Sequence, residues 1–417
     1  MAPNNLFQCF EEHAIIKVCG VGGGGGNAVN RMINAQMSGV DFIAINTDAQ
    51  DLQQSLAPYR LQIGQNNGLG AGAIPEVGRL AAEENREEIH KILEGADLIF
   101  LTLGLGGGTG TGAAPVVAQE AASVGALTIA VVTLPFEFEG ADRMNNALEG
   151  LEALEKEVDT LIVVPNDRIA ELCDENMALV DAFRHGDEVL HNGVRAISEL
   201  ITEPGLINLD FSDLRTIMES KGRALMGIGI ATGENRAMIA AEEAINCPLL
   251  EQTNIQGAKG VIINIRGGKD LRMAEVVQAN SFIRRNTSPD ARIISGNVVD
   301  LEDREEIQIT VIAAGFPCRD AEEYRTALKR EVITPAPVMA AVAESDNTLF
   351  PESNDSDAET DGKENSYDLV EGETDDLFRV AEEAPAPPPP VSSKSTWMED
   401  INIPAFLLKQ HKDRHRQ

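Results

Sequence analysis

The apolar positions of the first 165 residues fall into short β-branched runs separated by glycine turns and amphipathic segments. "AIIKVCGV", "DFIAINTD", "DLIFLTLG", "LTIAVVTLP" and "TLIVVP" are near-continuous apolar stretches of strand length. Runs of this kind mark strands covered on both faces, and their alternation with helical patterns predicts a parallel, doubly wound α/β sheet. Over "ALVDAFRHGDEVLHNGVRAISELIT" the period changes, and Val180, Phe183, Leu190, Val194, Ile197 and Ile201 share one helical face. That spacing predicts a long helix over 178–203. Beyond it, "ALMGIGIA", "GVIINIRG", "ARIISGNVV" and "EIQITVIAAG" read as strands around two helices, a smaller α+β unit ending near Phe316.

The pattern predicts an N-terminal extension (1–13), a sheet domain (14–177), the central helix (178–203) and a C-terminal α+β domain (204–316). Past Phe316 the chain turns to Ala, Pro, Ser and acids; residues 344–383 hold fifteen acids against Lys363 and Arg379. Such a composition buries too little apolar surface to fold, so 317–396 is expected to be a disordered linker spanning roughly 50 Å or more. In 397–417 the apolar residues return as Trp397, Ile401, Ile403, Phe406, Leu407 and Leu408, before a basic end, "HKDRHRQ". A short apolar peptide on a soft tether is expected to be a docking motif.

Charge narrows the partners. A formal net charge of −33 excludes non-specific nucleic-acid binding and adhesion to anionic membranes, and an anionic ligand would need a local positive site. The five cysteines are dispersed and form no CxxC pair, which points away from a disulfide framework or zinc ribbon and toward a reducing, cytoplasmic setting. The N-terminal stretch lacks a basic segment and carries Glu11 and Glu12, so no secretion signal is expected. No run approaches the roughly 18 apolar residues of a spanning helix, so no direct membrane insertion is expected.

The positive site is expected from bare backbone. "GLGGGTGTG" (104–112) holds six glycines and two threonines, and "GVGGGGGNAV" (20–29) follows the first strand. In the latter, Gly20, Gly22 and Gly25 fit G-x-G-x-x-G, with Asp48 after the next strand, which taken alone reads as a dinucleotide fold binding NAD. A dinucleotide fold needs one such turn, however. Here Gly106, Gly107, Gly108, Gly110 and Gly112 build another, with Thr109 and Thr111 as hydroxyl donors, and "GLGAGA" lies between the two. Several glycine loops at one sheet edge can surround a polyphosphate with N–H groups and helix N-termini. No G-K-[ST] follows either loop, so neither is a Walker phosphate loop.

Asp187 falls on the apolar face of the predicted helix, between Phe183 and Leu190, where a lone carboxylate is costly. Its partner is either a purine edge offering N–H donors, with Phe183 stacking and Asn166 adding an amide, or solvent or an arginine. Glu139 and Arg143 either reach ribose and phosphate or form a surface ion pair.

Taken together, "GGGTGTGAAP", "GVGGGGGNAV", "NTDAQ", "FEFEG", "VPND" and "NLDFSDLRTIM" resemble FtsZ, the bacterial tubulin homologue of cell division, over about residues 14–316. "NIPAFLLKQ" looks like that family's C-terminal partner-binding peptide. The resemblance implies a Rossmann-like GTPase domain over 14–177, joined by the central helix to the α+β domain. It implies GTP and GDP binding with Mg²⁺, and polymerisation into head-to-tail protofilaments of the cytokinetic ring. The binding set it implies is Gly22, Gly23, Gly24, Gly25, Gly26, Asn27, Asn46, Gly106, Gly107, Gly108, Thr109, Gly110, Thr111, Gly112, Glu139, Arg143, Asn166, Phe183 and Asp187. Asp210 and Asp213, with Asn208 beside them, match the acids that enter the next subunit's pocket, although by themselves Asp210, Ser212 and Asp213 read as a helix cap. Membrane-tethering partners of the FtsA type and recruitment to midcell are implied as well.

Departures from the family pattern leave alternatives open. Ile74 stands where the family usually has Asn, Leu134 replaces a base, and Leu103 and Leu105 replace smaller residues, which keeps open a polymerising scaffold with little hydrolysis. In the tail, Asn402 stands for Asp and Leu408 for a base, so partner preference is open too. The NAD reading lacks a candidate hydride-transfer base among six scattered histidines.

Overall fold

The computed structural model describes residues 14–65, 68–171, 177–203, 210–219, 222–250, 255–300 and 305–316. The expected disordered linker and docking peptide, and Asn208, lie outside the described residues.

The strands are β1 (Ile16–Val21), β2 (Asp41–Asn46), β3 (Tyr59–Gln62), β4 (Leu98–Gly104), β5 (Leu127–Leu134), β6 (Thr160–Pro165), β7 (Gly222–Thr232), β8 (Gly260–Gly267), β9 (Arg292–Val299) and β10 (Glu306–Phe316). The longer helices in chain order are α1 (Gly22–Asn34), α2 (Ala49–Gln54), α3 (Pro75–Glu84), α4 (Arg86–Leu93), α5 (Thr109–Ser123), α6 (Ala141–Glu155), α7 (Asn166–Glu171), α8 (Leu179–Thr202), α9 (Phe211–Met218), α10 (Arg236–Ile245) and α11 (Met273–Asn286).

One sheet runs through the described residues in the order β3-β2-β1-β4-β5-β6-β7-β10-β8-β9. From β3 to β7 all pairs are parallel. Strands β7, β10 and β8 then pair antiparallel, and β8 and β9 are parallel. The β6–β7 junction is narrow, joining only Thr160–Ile162 to Gly222–Ala224. The strands of the predicted smaller unit therefore extend the first sheet.

Every residue of β5 and β6 is buried, which is why these strands read as continuous apolar runs. One face of the parallel half packs on α1 and α8, through Val29, Met32, Leu190, Val194 and Ile197; the other packs on α4, α5 and α6, through Ile89, Val117 and Leu151. Strand β3 escaped the sequence reading because its four residues, YRLQ, are an exposed edge with no apolar run.

Helix α8 begins and ends within a residue of the predicted span. Its expected apolar face is not uniform, however. Leu190, Val194 and Ile197 are buried, whereas Val180 and Phe183 are 65% and 43% exposed. The first turns run past the core, where Phe183 borders an open cavity and meets Phe136 edge-on, with ring centroids 5.2 Å apart.

Candidate functional site

Strand order reverses between β1 and β4, the point at which parallel sheets of this kind open a crevice beyond the strands' carboxyl ends. Each of these strands leads into one of the two glycine turns, and a cavity of about 640 Å³ lies there. Its lower wall is Gly22–Gly24 at the start of α1 and Gly107–Gly110 at the start of α5; Leu69–Ala73, ahead of α3, make a third side. Among the described residues no side chain caps α1 or α5, so their first N–H groups are free to meet an anion. The loop before α3 is wound tightly, with Gly70, Gly72 and even Ala73 at positive φ, a conformation a Cβ disfavours.

Not all of the expected glycines face this space. A Cβ on Gly25 would lie 2.3 Å from Thr102 O, and one on Gly112 would lie 1.8 Å from Pro75 O. Both are bare so that helices press on neighbouring backbone. Gly106 sits at φ +98° and donates its N–H to Thr111 Oγ1 at 2.9 Å, which closes the turn from behind. Gly25, Gly106, Thr111 and Gly112 do not border this cavity and support its turns, while Gly26 borders a smaller side chamber with Asn27, Asn30 and Asp51.

The remaining expected residues do converge. Gly22, Gly23, Gly24, Asn27, Asn46, Gly107, Gly108, Thr109, Gly110, Glu139, Arg143, Asn166, Phe183 and Asp187 all line the cavity. Thr109 Oγ1 and Thr47 Oγ1 are 2.6 Å apart and hold the α5 turn to the end of β2. Glu139 pairs with Arg143 across one turn and its other oxygen accepts Phe136 N–H at 2.9 Å.

Asn166 Oδ1 is buried with no hydrogen-bond partner among the described residues, a costly state unless a ligand donates to it. Beside it, Asp187 completes one end of the cavity, and burial pushes its carboxyl up to about 6. Arg31, with Nε at 4.0 Å, opposes that rise and Glu188 adds to it. Of the alternatives left open above, the arginine is therefore present, at a distance beyond hydrogen bonding, and the carboxylate still faces the cavity.

Asp48, the acid that suggested NAD, is engaged as the cap of α2, accepting from Gln50 N at 2.8 Å and Asp51 N at 3.3 Å. Leu69–Ala73, Thr133 and Gly186 were not singled out by the sequence, although the run "GLGAGA" signalled the first of these segments.

Asp210 and Asp213 stand elsewhere. Asp210 caps α9, accepting from Ser212 N at 3.1 Å, and Asp213 pairs with Arg292 at 2.5 Å. Arg215 of α9 donates to Gly125 O, just before β5, and Thr160 at the start of β6 donates to Met218 O. Helix α9 is therefore at the amino ends of strands whose carboxyl ends carry the cavity. With eight residues in β5, that separation is about 25 Å. One chain cannot bring these acids to its own cavity.

Residues 15–174 match the model described as Tubulin/FtsZ family, GTPase domain, and residues 222–317 match FtsZ family, C-terminal domain. Among solved structures the chain is similar to an empty FtsZ dimer of M. jannaschii, at 44% identity and TM-score 0.70, covering 72% of this chain and 88% of that one. It shares its fold with CetZ2 from Haloferax volcanii, a GTPγS-bound protofilament (24% identity, TM-score 0.63, 76% and 99% covered). The same holds for CetZ1 from Haloferax volcanii, a GDP-bound monomer (22%, 0.64, 76% and 99%).

Proposed function

The chain belongs to the tubulin/FtsZ family of GTPases, and from that premise we propose that it hydrolyses GTP at the joint between successive subunits of a head-to-tail homopolymer. The observation that carries this reading is the placement of Asp210 and Asp213 at the sheet end opposite the cavity. Such an arrangement is complete only when one subunit's α9 end meets the next subunit's cavity. The contact is heterologous, so it propagates as a filament.

In this reading the amides of Gly22–Gly24 and Gly107–Gly110 cradle the phosphates, and Thr109 adds a hydroxyl. Asp187 and Asn166 accept from the donors on a guanine edge, and Phe183 stacks on the base. The incoming Asp210 and Asp213 orient the attacking water at the terminal phosphate. Mg²⁺ would offset phosphate charge; among the described residues no three His, Cys, Asp or Glu side chains form a metal cage, but Asp48 and Asp51 stand on the cavity wall and fit an ion carried in by the phosphates. The biological setting we propose is a division ring at midcell in the cytoplasm, tied to membrane-bound partners of the FtsA type through residues 397–417.

The test is phosphate release from GTP with Mg²⁺ over a range of protein concentrations, with sedimentation in GTP and in GDP. Specific activity should be near zero below a threshold and rise with GTP-dependent pelleting. Asp213→Ala should still bind GTP and lose turnover. Constant activity per molecule would defeat the shared site, and pelleting without phosphate release would leave a scaffold.

A further inference from the structure

The ion pair between Asp213 and Arg292 joins a proposed catalytic acid to a different part of the chain. Asp213 lies in the first turn of α9, and Arg292 opens β9, 79 residues later. Their contact at 2.5 Å exists because α9 comes unusually close to the sheet there. A Cβ on Gly260, the register partner of Arg292, would lie 2.6 Å from Ile217 Cγ2 of α9. Bare backbone at Gly260 thus admits the helix, and the guanidinium next door reaches its carboxylate.

Both side chains are about half exposed, Arg292 at 50% and Asp213 at 49%. A pair so open to water contributes little to stability. What it does supply is orientation, since it fixes one oxygen of an otherwise free carboxylate on a surface that must enter another subunit. The geometry points to Arg292 as the positioning residue for Asp213, holding the acid in the orientation in which it is delivered into the next subunit's nucleotide cavity. This rests on the shared-site reading proposed above.

Phosphate release per sedimented subunit tests it. Arg292→Ala should sediment with GTP as the parent does and keep its Tm and its KM for GTP, while kcat falls about 10- to 100-fold, the scale of a small misplacement of a reacting group. Arg292→Lys, which keeps a cation, should recover much of that rate. In an Asp213→Ala background, Arg292→Ala should cost nothing further, because Arg292 acts only through that acid. Gly260→Ala, which pushes α9 away while leaving Arg292 in place, should lower kcat in the same manner.

An unchanged kcat in Arg292→Ala, alongside an inactive Asp213→Ala, overturns the inference and leaves the shared site standing. A further loss in the Asp213→Ala background also overturns it, since the guanidinium would then act on the phosphates directly. So does loss of sedimentation in both the Ala and the Lys variants, which would make Arg292 part of the joint itself. If Asp213→Ala retains full turnover, the shared-site reading is the one that fails, and the role of Arg292 falls with it.

Discussion

At the residue scale, Asp187 is the site's titrating group. Burial disfavours the charge and pushes its carboxyl up to about 6, and only the ionised form lets both oxygens accept from a guanine edge. GDP affinity should be level above about pH 7 and decline as pH falls through 6. Asp187→Asn should weaken GDP binding by about 10- to 100-fold at neutral pH, the worth of a charged hydrogen bond, and flatten the pH profile; titration of GDP between pH 5.5 and 8 checks both. Ile74 has a different consequence. It occupies the N-cap of α3 with extended backbone and no means of capping, and it is 53% exposed. Ile74→Asn should therefore stabilise the fold by about 1 kcal/mol, read as a rise in melting temperature, if its side chain takes up an N–H of α3. The departures beside the glycine turn are accommodated by packing: Leu103, Leu105 and Leu134 are buried in the apolar layer under α5 and α6, and Leu105 lies beside the bare backbone of Gly150.

At the scale of elements, the glycines separate into two kinds that one motif conceals. Gly25→Ala places a Cβ against Thr102 O, so α1 must move off the sheet, at a cost of about 1–3 kcal/mol and with loss of nucleotide binding. Gly107→Ala meets nothing within 4 Å, so it should fold normally and weaken GDP binding by obstructing the cavity. Thermal melting paired with GDP titration distinguishes the two. Helix α8 carries its own pH response, because His191 is 7% exposed and burial, aided by Arg195 and Arg31, lowers its pKa to about 4. The folded state thus holds this proton more weakly than the unfolded chain. Stability from this group is complete above about pH 6.5 and is lost as pH falls toward 4. Asp187, one turn away, acts in the opposite sense, since its raised carboxyl makes the fold lose stability as pH rises from about 4 to 6. His191→Gln should remove the first effect alone, giving a variant that gains on the parent by roughly 2 kcal/mol at pH 5 relative to pH 8 in denaturant titrations.

For the whole molecule, the parallel strands, the central helix and the glycine turns were legible in the sequence because each is local. Buried strands need apolar runs, α8 needs its period, and close backbone approach needs glycine, so each leaves its mark within a few residues. The motifs likewise sufficed to name the cavity's two principal walls. Tertiary structure decided what depends on residues far apart: that β6 and β7 join the two sets of strands into one sheet, and that Gly25 and Gly112 support while Gly23 and Gly107 face the cavity. It alone placed Asp213 beside Arg292, at the opposite end of the strands from Asp187. Composition and spacing encode the propensity of a segment, whereas the direction a side chain faces, and the end of the sheet it occupies, are set by pairing between strands that share no local pattern.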